Sequence, residues 1–97
     1  LAADSGALLG IPWNPGSDSF HTIDFGGPEY GIPSELGIAA VQLAAQTEGL
    51  LLDPVYTGKG FAGMQSDIEQ NFNKNVPVVF LHTGGLPALF AYENDLF

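Results

Sequence analysis

Two apolar, β-prone stretches of this chain each break off into a polar, glycine-bearing loop. Val76-Pro-Val-Val-Phe-Leu81 is a run of six apolar residues that stops at His82-Thr-Gly-Gly85. The shorter Leu50-Leu-Leu52 stops at Asp53-Pro-Val-Tyr-Thr-Gly-Lys59. A continuous apolar run fits a strand buried on both faces of a parallel sheet. In an open α/β sheet, ligands bind just beyond the carboxyl ends of the strands. The pattern therefore predicts two loops at one ligand edge. The first carries a phenol (Tyr56) and a hydroxyl (Thr57), the second a hydroxyl (Thr83) and two glycines (Gly84, Gly85).

Helices are expected around these runs. Residues 1–10 read as the end of a helix, with Gly10 and Pro12 to stop it. Asn14-Pro-Gly-Ser17 is a turn signal, and the turn over Asn14 to Asp18 is the only candidate joint. Residues 20–25 alternate weakly and predict a short strand; residues 26–33 are a loop rich in glycine and proline. The clearest helix spans 34–47. Ser34 can cap it, Glu35 suits the positive end of its dipole, and Gly49 stops it. A second helix over 58–73 places Phe61, Met64, Ile68 and Phe72 at spacings of three or four. Asn73-Lys-Asn75 reads as a turn. Residues 86–92 close the chain as a helix, with Pro87 allowed in its first turn. The order helix, strand, helix, strand, helix predicts an α/β fold built on a βαβ unit, whose crossover should be right-handed. Two core strands cannot make a doubly covered sheet alone, so some apolar faces are expected to lack their cover.

Composition narrows the function. With 97 residues, 45% of them apolar, the chain is one small domain or part of a larger one. It begins at Leu1, which suggests a cleaved product, an internal fragment or an incomplete reading frame. Residues 1–11 lack a basic start and contain Asp4, so no secretory signal is expected. No apolar run approaches the roughly 18 residues of a membrane span. There is no cysteine, hence no disulfide framework, thiolate metal site or cysteine nucleophile, which fits a reducing, cytoplasmic setting. Two lysines, no arginine and a net charge of −9 make nucleic acid and anionic membranes poor partners. His21 and His82 lie 61 positions apart with no evident third ligand, so no metal site is expected. Ser34 and Ser66 have no neighbouring histidine, so serine-hydrolase logic fails. Trp13, between Pro12 and Pro15, reads as packing.

Three motifs carry a family resemblance. They are Gly27-Pro-Glu-Tyr-Gly-Ile-Pro-Ser-Glu35, Asp53-Pro-Val-Tyr-Thr-Gly-Lys59 and His82-Thr-Gly-Gly-Leu-Pro-Ala-Leu-Phe-Ala-Tyr92. Over residues 24–92 the chain resembles the C-terminal part of the D-cysteine desulfhydrase and 1-aminocyclopropane-1-carboxylate (ACC) deaminase family. These are pyridoxal-phosphate enzymes of the tryptophan-synthase-β-like fold. The resemblance implies a partial three-layer parallel sheet of fold type II, residues 1–97 being a C-terminal portion. It also implies the cofactor pyridoxal 5′-phosphate, an amino-acid substrate and a homodimeric full-length protein. ACC deaminases have Glu after the Asp-Pro-Val-Tyr motif and Leu before the Gly-Gly pair; here stand Thr57 and Thr83, as in the desulfhydrase branch. A threonine hydroxyl would hydrogen-bond the pyridine nitrogen without protonating it, leaving a weaker electron sink.

The same resemblance implies the site. Tyr56 would be an acid/base or positioning group at the substrate, and Tyr30, 26 positions earlier, the second active-site tyrosine. Thr83 would meet the pyridine nitrogen, Thr57 would flank the ring, and Gly84 with Gly85 would let backbone approach it. Each has a plainer reading: a half-buried aromatic, a turn aromatic, two helix caps and an ordinary turn. The family's Schiff-base lysine and phosphate loop lie in the N-terminal half, and Lys59 matches a different family lysine. The expectation is thus a fragment of a carbon–sulfur lyase that makes sulfide, pyruvate and ammonia from D-cysteine, inactive by itself. The alternatives are an ACC deaminase and a non-catalytic acidic module that packs on a partner chain.

Overall fold

A computed structural model of the chain describes residues 1–11, 15–71 and 75–96, with only the backbone of Ser17. Among the described residues five α-helices follow in order: α1 (Ala2–Leu8), α2 (Glu35–Glu48), α3 (Thr57–Asn71), α4 (Leu86–Leu89) and α5 (Glu93–Leu96). A 3₁₀ turn spans Ser17–Ser19 and another, Phe90–Tyr92, joins α4 to α5. The first two residues of the Asn73-Lys-Asn75 turn, the first residue of the Asn14 turn, Phe72 and the packing of Trp13 lie outside the described residues. No helix among the described residues is long and apolar enough to cross a membrane.

Local chemistry explains α2. Ser34 is extended, and its Oγ accepts from the Gly37 N–H at 3.1 Å, satisfying one orphan donor of the first turn. At the far end Gly49 turns left-handed (φ +64°), and its N–H with that of Leu50 closes on the last carbonyls. α2 buries Gly37, Ala40, Val41 and Ala44 and packs on α3, where Gly37 and Val41 approach Lys59 and Gly58. The contact is close because both faces are made of small residues. A Cβ on Gly58 would stand 2.6 Å from Val41 Cγ2 and 2.8 Å from the Asp53 carbonyl oxygen. The core is small: Val41, Ala44, Leu52 and Leu96, edged by Ile38, Leu50, Phe61, Phe80 and Leu89. Phe61 and Phe80 meet edge to face with centroids 5.2 Å apart, which carries residue 80 onto α3. Gln42 Nε2 donates to the Leu96 carbonyl at 2.8 Å and holds the closing helices to α2.

The expected parallel sheet of an α/β fold is not formed: among the described residues there is no strand. Residues 76–81, expected to be buried on both faces, leave Val79 89% and Leu81 78% exposed. Residues 50–52 bury Leu52 but carry no ladder. The physical reason is that a strand is a pairing, and hydrophobic content alone supplies no partner for the backbone groups. What links these segments instead is one side chain: His82, just past the second run, donates from Nε2 to the Leu51 carbonyl at 2.9 Å. Residues 20–25 are also irregular. They lie across α3, where a Cβ on Gly63 would sit 3.2 Å from Phe25 Cβ. With no strands, the right-handed crossover falls away too.

Candidate functional site

The site is built on the start of α3. Asp53 is fully buried, and its carboxylate closes the open end of this helix. Oδ2 accepts from the N–H groups of Val55 (2.9 Å) and Tyr56 (2.7 Å). Oδ1 accepts from the Thr57 N–H (2.9 Å) and from its hydroxyl (2.6 Å). The same hydroxyl accepts from the Asp53 N–H at 2.9 Å, so the two side chains clasp each other. Burial pushes the Asp53 pKa up, but the Thr57 hydroxyl and the three backbone donors outweigh it. The carboxyl sits below its ordinary 3.8.

This cap fixes the backbone under Tyr56, whose ring stands half exposed on the outer side. There it meets Tyr30. The two hydroxyls are 2.5 Å apart and the rings pack edge to face, centroids 6.1 Å apart. The Tyr56 phenol is held above its ordinary 10.0, first by the bond to Tyr30, then by desolvation and by the nearby Tyr30, Asp53 and Tyr92.

Tyr30 is carried by a loop tied down on both sides. Lys59, three positions after Tyr56, donates from Nζ to the Gly26 carbonyl at 2.6 Å and the Glu29 carbonyl at 3.5 Å. From the closing helices, the Tyr92 hydroxyl donates to the Gly31 carbonyl at 2.8 Å. The Ile32 N–H closes the turn on Glu29 at 3.2 Å. Between this loop and α3 lies an open cavity of about 570 Å³, lined by Phe25, Tyr30, Val55, Tyr56, Lys59 and Gly60 among others.

The second loop reaches the cap by another route. Gly84 and Gly85 adopt φ +104° and +99°. Gly85 packs so closely on the cap that a Cβ would stand 2.7 Å from Asp53 Cγ. His82 shapes the loop: Nδ1 accepts the Gly84 N–H at 3.1 Å, which leaves Nε2 to donate to the Leu51 carbonyl. Thr83 is exposed, and a Cβ on Gly84 would meet nothing within 4 Å.

The structure thus brings Tyr30 and Tyr56 into contact and sets Thr57 beneath them in the cap. Thr83 and Gly84 adjoin the cap through Gly85, and neither they nor Thr57 line the cavity. Asp53, Lys59, Tyr92 and His82 organise the site although none was singled out for such a role. Asp53 was within reach of sequence reasoning, since Asp four positions before Thr at a helix start is a capping pattern. The Lys59 and Tyr92 bonds run to backbone carbonyls 30 to 61 positions away and leave no sequence signal.

What the hydroxyl pair can do chemically is hold and pass a proton at the edge of an open cavity. No family model matches the chain. It is 56% identical over 71 residues to the D-cysteine desulfhydrase of Serratia proteamaculans (strain 568), 72% of this chain and 22% of that protein. The Yersinia pestis (strain Pestoides F) D-cysteine desulfhydrase is 61% identical over 67 residues, 68% of this chain and 20% of its own. That of Klebsiella pneumoniae (strain 342) is 57% identical over 74 residues, 75% and 23% respectively. The matched stretch is therefore about a fifth of each relative's length. At these identities, over roughly 70% of its residues, the chain belongs to the D-cysteine desulfhydrase family.

Proposed function

We propose that this chain is the C-terminal portion of a pyridoxal-phosphate-dependent D-cysteine desulfhydrase and forms one wall of its active-site pocket. The observation that carries the reading is the Tyr30–Tyr56 hydroxyl pair, joined at 2.5 Å across 26 positions and facing an open cavity. Its support from outside the molecule is the name shared by the relatives.

The residues fit one edge of the cofactor. Gly84 leaves open space where a side chain would stand, so backbone can lie against a flat ring. Beside it, the exposed Thr83 hydroxyl can bond a ring nitrogen. Lys59 is no anchoring amine, because its Nζ is committed to the Gly26 and Glu29 carbonyls. When bound, pyridoxal phosphate supplies the electron sink for the carbanion formed at the substrate α-carbon.

This chain's part is to handle a proton. A phenol is protonated at neutral pH, and the Tyr56 hydroxyl lies at the edge of the cavity in contact with a second hydroxyl, so Tyr56 acts as an acid. As the carbon–sulfur bond breaks, the sulfur takes its electron pair, and Tyr56 Oη gives it a proton. Tyr30 Oη, already bonded to Tyr56, restores that proton and, being exposed, takes its own replacement from solvent water. Thr57 serves through the cap, where its hydroxyl fixes the turn that presents Tyr56. Thr57 and Thr83 favour the desulfhydrase over an ACC deaminase on the branch difference drawn above. The same reading makes the full-length protein a cytoplasmic homodimer acting on a free amino acid, with the 97-residue chain inactive alone. A second reading, a non-catalytic acidic module that packs on a partner, draws on the exposure of Val79 and Leu81.

A chimera tests the proposal. The matched segment of this chain replaces its counterpart in the Serratia proteamaculans relative, and sulfide and pyruvate are measured from D-cysteine, ammonia from ACC. Sulfide release from D-cysteine is expected. A chimera that folds and binds pyridoxal phosphate but releases none rejects the reading; ammonia from ACC instead selects the deaminase.

A further inference from the structure

Lysine is rarely buried without a charged partner. Lys59 is 6% exposed, and among the described residues no carboxylate pairs with it. Its Nζ is held instead by the carbonyls of Gly26 and Glu29. The slot for its side chain is built from glycine on two elements. A Cβ on Gly27, in the loop at φ +77°, would stand 3.2 Å from Nζ, and one on Gly37, in α2, would stand 3.2 Å from Cγ. Only residues without a side chain let the ammonium reach the loop.

Place in the chain gives this contact its meaning. Lys59 sits on the same turn as Tyr56, and the Glu29 carbonyl it holds immediately precedes Tyr30. On the other side of Tyr30, the Gly31 carbonyl is held by Tyr92. We propose that Lys59 is a positioning residue, whose ammonium clamps the loop at residues 26–29 to the start of α3 and so sets the contact between the Tyr30 and Tyr56 hydroxyls. A role confined to packing would alter stability and leave the hydroxyl contact as it is in every chain that folds. A clamp couples the two. The catalytic weight of this contact rests on the lyase reading; the clamp itself does not.

The test follows the Tyr56 phenol in the 97-residue chain by NMR of tyrosine labelled with ¹³C at Cζ, titrated with alkali. Tyr30→Phe and Tyr92→Phe assign the three resonances and give the Tyr56 midpoint without its partner. Lys59→Met keeps the apolar stem and removes the donors. It is expected to bring the Tyr56 midpoint down by at least half of the fall produced by Tyr30→Phe, with parental helicity by circular dichroism. Lys59→Arg, a cation with fanned donors, is expected to keep the midpoint at the parent's position. A folded Lys59→Met chain with the parent's midpoint overturns the proposal. If Lys59→Met does not fold, Lys59→Gln, which also removes the ammonium, decides: a folded chain with the parent's midpoint overturns the clamp, and one moved at least halfway to the Tyr30→Phe position supports it. No substrate or cofactor enters this measurement, so its failure is distinct from failure of the sulfide assay.

Discussion

At the residue scale, Asp53 and Tyr56 divide structure from chemistry within four positions. Asp53 is buried and accepts four bonds. Replacing it with Ala removes the cap and leaves buried donors unmet, at a cost of about 2–3 kcal/mol, measurable as a lower urea midpoint. Its acid behaviour follows from its pKa. The folded value lies below 3.8, so the stabilisation is fully present above that pH and is lost as pH falls through the folded value. The thermal midpoint of the parent should therefore exceed that of Asp53→Asn at neutral pH, with the gap closing below pH 3.8. A gap that stays constant into acid would show that the carboxylate charge is not what the cap uses. Tyr56 is the opposite case. Its hydroxyl stands at a half-exposed surface, so Tyr56→Phe should shift stability by less than about 0.5 kcal/mol. In the chimera the same change should lower sulfide release by about 10²–10⁴-fold, the worth of a positioned proton donor.

At the scale of elements, α2 and α3 show why some structure could be read from the sequence and some could not. Both helices announce themselves locally: Ser34 and Gly49 frame α2, and the spacing of Phe61, Met64 and Ile68 marks α3. Capping and periodicity act over a few residues, so the sequence contains their whole cause. The expected strands failed for the converse reason, since residues 76–81 supply apolar side chains but not a backbone to pair with. The tyrosine pair was reached through the family motifs, and its contact depends on a loop whose anchors are remote. The way α2 meets α3 was not foreseen either, because a glycine in a helix gives no sign of what lies opposite. Two glycines on α3 test that packing. Gly58→Ala would drive a Cβ to 2.6 Å from Val41 and 2.8 Å from the Asp53 carbonyl, wedging the helices apart at a cost of about 1–3 kcal/mol. Gly60→Ala meets nothing within 4 Å and should stabilise by about 0.5–1 kcal/mol through helix propensity. Opposite shifts in thermal midpoint are expected; equal ones would mean that α2 and α3 do not approach as described.

At the scale of the whole molecule, two forces oppose each other. The Cα radius of gyration is 15.7 Å, against about 13 Å for a compact domain of 100 residues. The excess reflects surface that the small core does not gather in. Val79, Leu81 and Phe90 are 89%, 78% and 78% exposed, and exposed apolar surface drives association. Against it stands a net charge of −9, which keeps copies apart over a screening length of about 10 Å at 0.1 M salt and about 3 Å at 1 M. Apolar contact does not weaken over that range, so salt should tip the balance. The 97-residue chain is expected to sediment as a monomer in dilute buffer and to gain mass with concentration as salt rises. Val79→Lys with Leu81→Lys removes apolar surface from residues 76–81 and lowers the net negative charge by two. The charge change alone would favour association, so a double variant that stays monomeric at high salt isolates the apolar surface as the cause. A variant that associates as readily as the parent would place the contact elsewhere on the molecule.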